Sequence, residues 1–161
     1  MLSEKVLSAL NDQLNAEFYS SYLYLAMAAH MEAEGFTGMG HWLRKQSEEE
    51  LAHAMKFYKF ILDRGGRVQF KAVDQPPSHW KSPLALFENV LEHERQISGR
   101  VWSLIELTGQ EKDPATRVFL HWFVEEQVEE EAQVALIVQK LRMVGDSVNG
   151  LFLIDRELGS R

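Results

Sequence analysis

No cysteine occurs anywhere in this sequence. Disulfides, thiolate zinc sites and cysteine-ligated iron–sulfur clusters are therefore excluded, and the chain suits a reducing compartment such as the cytoplasm. No apolar run approaches the length needed to cross a bilayer, so no membrane association is expected. Met1-Leu2-Ser3-Glu4-Lys5 lacks a basic stretch followed by an apolar one, and no signal peptide is expected. Basic residues are in the minority: 17 Lys and Arg against 24 Asp and Glu leave a net charge of −7. That balance speaks against nucleic acid as a principal partner and suits a chain that attracts cations. Alternation with period two never persists long enough to make a sheet. What is present is 161 residues, 45% hydrophobic and 11% aromatic, enough for one domain (residues 1–161) with its own core.

The apolar residues recur with a helical period. Ser3 can cap a first helix, about 4–34, whose apolar stripe reads Val6, Leu10, Leu14, Phe18, Ser21, Leu25 and Ala28. A short Gly-rich joint from Gly35 to Gly40 leads to a second helix, about 38–65, stopped by Gly65-Gly66. Residues 66–82 have no helical period and contain Pro76-Pro77. Ser82-Pro83 then opens a third helix, about 83–110, with Phe87, Leu91, Ile97, Val101 and Ile105 inward. Asp113-Pro114 repeats that signal for a fourth helix, about 114–144, and a brief fifth, about 149–158, carries Leu151-Phe152-Leu153-Ile154.

The short joints make the first two helices antiparallel, and likewise the third and fourth. The 66–82 segment can stretch ~55 Å at ~3.3 Å per residue, more than the ~40 Å length of such a helix. The expected fold is an all-α four-helix bundle with one long crossover and a short fifth helix.

Glu48-Glu49-Glu50-Leu51-Ala52-His53 sits in the middle of the second helix. Glu50 and His53 are three apart and share a face with Leu43, Gln46, Ala54, Phe57 and Ile61. A lone Glu-x-x-His on a helix is usually a solvated face or a satisfied core histidine. The other helices change that. Glu17 interrupts the first stripe, Glu94 the third, and Gln127 with Glu130 the fourth. Glu17 to Glu50 is 33 positions, as is Glu94 to Gln127; Glu17 to His53 is 36, as is Glu94 to Glu130. The two halves of the chain superpose at an offset of 77 residues (94 − 17), and both pairs are centred on the expected turns. All four helices thus put polar groups into the core at one height. A buried ion-pair network would need cations, and no Lys or Arg shares these stripes. Two divalent cations bridged by carboxylates account for the pattern.

With these residues the chain resembles the ferritins, specifically the haem-free prokaryotic kind, over essentially its whole length. The resemblance rests on Asn15-Ala16-Glu17-Phe18-Tyr19-Ser20-Ser21, Glu48-Glu49-Glu50-x-x-His53, Glu94, the run Trp122-Phe123-Val124-Glu125-Glu126-Gln127-Val128-Glu129-Glu130-Glu131, and the closing Asp155-x-Glu157-Leu158. It implies a ferroxidase centre in which Glu17, Glu50 and His53 hold one iron and Glu50 bridges. Glu94 and Glu130 hold the second, with Gln127 beside it as a hydrogen-bonding neighbour. Fe(II) is oxidised by O2 or H2O2, and the ferric product mineralises inside a homo-oligomeric shell of 24 chains.

Tyr24 resembles the family's redox-active tyrosine, with an ordinary core tyrosine as the alternative. Glu49, Glu126 and Glu129 resemble a third iron site on the cavity side, with a solvated acidic face as the alternative. No haem is expected, because Leu51 stands where the haem-binding relatives carry a Met after the bridging Glu. His30, His41, His79, His93 and His121 have no ligand partner at suitable spacing. Two functions are compatible with the sequence, a storage cage and a di-iron redox enzyme of the rubrerythrin kind.

Overall fold

The computed structural model describes residues 1–161, which form five helices and no strand. They are α1 (Glu4–Ala33), α2 (Thr37–Asp63), α3 (Pro83–Gln110), α4 (Pro114–Val144) and α5 (Val148–Leu158). α1 packs chiefly on α2 and α3 on α4, while α5 lies against α2 and α4. The starts of three of the four long helices follow from local sequence. The Ser3 hydroxyl accepts from the Val6 amide at 3.3 Å, and Ser82 from Ala85 at 3.1 Å. The Asp113 carboxylate accepts from Thr116 at 3.1 Å, with Pro114 next in the first turn. α2 ends two residues before the expected stop. Gly65 turns left-handed (φ 74°), and the Gly66 amide closes back on the Ile61 carbonyl at 2.9 Å.

The start of α2 has no side-chain cap of its own, since Phe36 occupies that position. Its missing partner comes from α5, where the Asp155 carboxylate accepts from the Met39 amide at 2.8 Å. The fit needs a glycine. A Cβ on Gly38 would lie 1.8 Å from the Asp155 carbonyl oxygen. α5 therefore seats on its own bundle, with Ile154 and Leu158 in the core and Phe152 against the Phe36 ring, while Leu153 stays exposed. The 66–82 crossover is pinned by Asn11, whose side chain donates to the Arg67 carbonyl at 3.1 Å and accepts from the Gln69 amide at 2.7 Å.

One expected stripe is corrected. On α1, Leu25 is 49% exposed and Phe18 and Ser21 are only half-buried; the inward line runs Leu14, Glu17, Ser20, Tyr24, Met27 and Met31. One residue is a rotation of about 100°, so choosing the apolar Phe18 over the acidic Glu17 shifts that part of the stripe round the helix. Phe18 instead faces Phe70 of the crossover, ring centres 6.1 Å apart. On α3, Leu104 is the buried residue and Ile105 is half-buried.

The core consists of two apolar clusters, one around Tyr24, Met27, Leu43, Phe87 and Val134, the other around Leu10, Leu14, Phe57, Leu120 and Phe123. Glu17, Glu50, His53, Glu94, Gln127 and Glu130 fall between them along their helices.

Asp155→Ala removes a cap and should cost about 1 kcal/mol of stability. Gly38→Ala should cost more, because backbone must move to admit the methyl group. Thermal melting of both variants against the parent checks the order.

Candidate metal centre

Glu17, Glu50, His53, Glu94, Gln127 and Glu130 are all buried, and the bundle brings them to one level. Glu17, Glu50 and His53 form one group whose ligand atoms lie within 4.8 Å of one another. His53 Nδ1 is 3.1 Å from Glu50 Oε2 and 3.9 Å from Glu17 Oε2. The other ring nitrogen, Nε2, faces Glu126 Oε1 at 3.9 Å, and His53, Glu126 and Glu130 make a second group. Glu94 sits opposite, where it accepts from the Tyr24 hydroxyl and, at 3.1 Å, from the Gln127 amide. Gln127 also reaches the Glu94 carbonyl and Ser98 Oγ.

This concentration of acid is electrostatically costly. Burial, then the charges of Glu94 and Glu17, push the Glu50 carboxyl well above its usual range. Burial raises Glu94 to about 7 against the opposing hydrogen bonds from Tyr24 and Gln127. Burial and the Glu94 charge raise Glu130 to about 8. Tyr24 is raised too, by burial and then by Glu94, which keeps its hydroxyl protonated and donating.

One buried side-chain atom, Glu17 Oε2, has no hydrogen-bond partner at all, and it points at the His53–Glu50 pair. A bound cation would satisfy that oxygen and remove the mutual repulsion together. Hard carboxylate oxygens with one imidazole suit iron in either oxidation state.

Glu49, Glu126 and Glu129 line a cavity of about 430 Å³ that also reaches Glu130. Their environments differ. Glu126 is half-buried beside His53, Glu49 pairs with Arg161 at 2.8 Å, and Glu129 accepts from Gln133 at 3.1 Å. Of the five histidines given no chemistry, His93 is the buried one. Its Nε2 lies 2.7 Å from Ser20 Oγ and its ring stands edge-on to Tyr24. Burial, then Arg100, lowers it to about 4, so it stays neutral.

Two glutamines in the centre were given no role by the sequence. Gln13 Nε2 donates to Glu17 Oε1 at 2.7 Å, and Gln46 Nε2 donates to Glu130 Oε2. A signal for them exists: Gln13 and Gln46 are 33 positions apart, the spacing of Glu17 and Glu50, and stand one turn before those two glutamates, although Gln46 bonds across the bundle to Glu130.

The raised carboxyls have a pH consequence. With folded values near 7 and 8 against an ordinary 4.5, the folded protein binds more protons than the unfolded chain in that window. The stabilisation is complete below about 4.5 and disappears as the pH rises through about 8. The melting temperature of the metal-free protein should therefore fall from pH 5 to pH 8, and a Glu94→Gln/Glu130→Gln variant should show a flatter profile.

Residues 7–144 match the model of the ferritin-like domain family. The bacterial non-heme ferritin of Bacteroides fragilis is 47% identical over 161 residues, covering all of both chains. That of Staphylococcus aureus is 41% identical over all of this chain and 97% of its own. Among solved structures, an open-pore ferritin from the archaeon Archaeoglobus fulgidus superposes with a TM-score of 0.99 at 52% identity, covering 100% of this chain and 99% of that one. The chain belongs to the ferritin family.

Proposed function

We propose that this protein is an iron-storage ferritin that oxidises Fe(II) at the buried centre and deposits the ferric product as mineral inside a cytoplasmic shell of 24 copies. The observation that supports this most directly is the partnerless Glu17 Oε2 beside Glu50 and His53, in a layer of carboxylates with no counter-ion. Iron is the substrate. Glu17, Glu50 and His53 hold one ion, Glu50 bridges, and Glu94 with Glu130 hold the other.

Each Fe(II) loses one electron. A pair of them reduces O2 with two protons to H2O2, or H2O2 with two protons to water. Glu50, Glu94 and Glu130 must lose their protons to bind the metal, so uptake releases protons and weakens as the pH falls. Gln127 holds Glu94 in place by donating to it, and Tyr24, bonded to the same carboxylate, is an electron donor at the edge of the centre. Glu49, Glu126 and Glu129 form a third iron position facing the cavity.

Aerobic addition of several hundred Fe(II) per shell, followed by sizing with iron and protein measured together, tests the reading. Iron should stay soluble and travel with a large particle. Precipitated iron, with only about two ions per chain on a small species, would instead indicate the di-iron redox enzyme. Glu50→Ala should slow Fe(II) oxidation at least about tenfold, read by the growth of ferric absorbance.

A further inference from the structure

Gln13 and Gln46 are each gripped from behind by an arginine. Arg100 Nε donates to Gln13 Oε1 at 3.0 Å, and its Nη2 to the Asp12 carbonyl at 3.0 Å. Arg161 Nη1 donates to Gln46 Oε1 at 3.0 Å and to the Trp42 carbonyl at 3.2 Å. The Arg161 guanidinium lies over the Trp42 ring at 4.7 Å, and its Nη2 pairs with Glu49. These are two separate chains of the same kind, Arg100–Gln13–Glu17 and Arg161–Gln46–Glu130.

The chemistry of the links is directional. A guanidinium has five donors and no acceptor, so the glutamine atom facing it must be the oxygen. The amide nitrogen is then forced toward the carboxylate and donates to it. That bond favours the ionised carboxylate and occupies one of its two oxygens. On Glu17 the result is visible. Oε1 is taken by Gln13, and the partnerless Oε2 is the oxygen that faces His53. Neither arginine touches a carboxylate of the buried centre, so neither cancels the negative charge that a cation would answer. A lysine or arginine placed directly on Glu17 or Glu130 would do so.

We propose that Arg100 and Arg161 are positioning residues for the two metal positions, one each. Each fixes the amide orientation of a buried glutamine, which in turn decides which carboxylate oxygen is offered to the ion. The inference rests on the reading of the centre as a metal site. It predicts selectivity: Arg100 governs the ion held by Glu17, and Arg161 the ion held by Glu130.

Anaerobic titration of the full assembled protein with Co(II), followed by visible absorption and calorimetry, tests it. Arg100→Met should weaken one buried Co(II) by about tenfold and Arg161→Met the other, with a changed absorption band for the weakened ion. Arg→Lys at either position should restore most of the affinity, because an ammonium still demands the glutamine oxygen. Adding Arg100→Met to Gln13→Leu, or Arg161→Met to Gln46→Leu, should lose little beyond the glutamine change alone. In Fe(II) oxidation the arginine variants should raise KM while kcat stays within about twofold.

Arg161 also packs on Trp42, so if Arg161→Met melts early, Gln46→Leu replaces it in the titration. Wild-type affinities and spectra in the Arg100 and Arg161 variants would overturn the proposal, and so would equal weakening of both ions by either one. If Glu17→Ala and Glu130→Ala leave Co(II) binding unchanged, the centre is not a metal site and the relays fall with it.

Discussion

The desolvation of carboxylates at mid-height is the constraint to which the rest of the molecule answers. Taking an ionised carboxylate out of water costs several kcal/mol even after relaxation, and this bundle buries Glu17, Glu50, Glu94 and Glu130 in a single layer. Two features make that tolerable. The apolar clusters above and below the layer carry the packing, so the polar residues interrupt the core at one level and leave the helix contacts on either side intact. Without metal, the carboxyls respond by holding on to protons, as the raised values of Glu50, Glu94 and Glu130 express. A proton and a cation are alternative answers to the same excess of charge.

The helical period, the turn signals and the polar interruptions were readable because each is local or repeats by simple arithmetic. The match between the halves at an offset of 77 residues is by itself enough to put Glu17, Glu50, His53, Glu94, Gln127 and Glu130 in one layer. Helix boundaries differed by a residue or two, as at Asp63, where the Gly65 turn closes earlier than the apolar pattern suggests.

What the sequence concealed was tertiary. Nothing near Phe36 announces that α2 is capped from α5, because the acceptor is 116 positions away. The rotation of α1 is masked at Phe18, because hydrophobicity favours a phenylalanine over the neighbouring glutamate while the inward position is the polar one. Gln13 and Gln46 read as unremarkable side chains until their carboxylate partners and the arginines behind them are seen together. A residue whose role is to orient another leaves no periodic trace of its own.

The borrowed cap on α2 also bears on the order in which the chain can be completed. A polypeptide emerges from synthesis with its N-terminal end first, so α1 and α2 are available long before residues 148–158. Until then the Met39 amide can bond only to water, and Trp42 and Met39 lack the Ile154 and Leu158 side that completes their cluster. The end of the helix that carries Glu50 and His53 is therefore finished last, by a segment only 11 residues long. The nascent protein stays open at that end until residues 148–158 have been added.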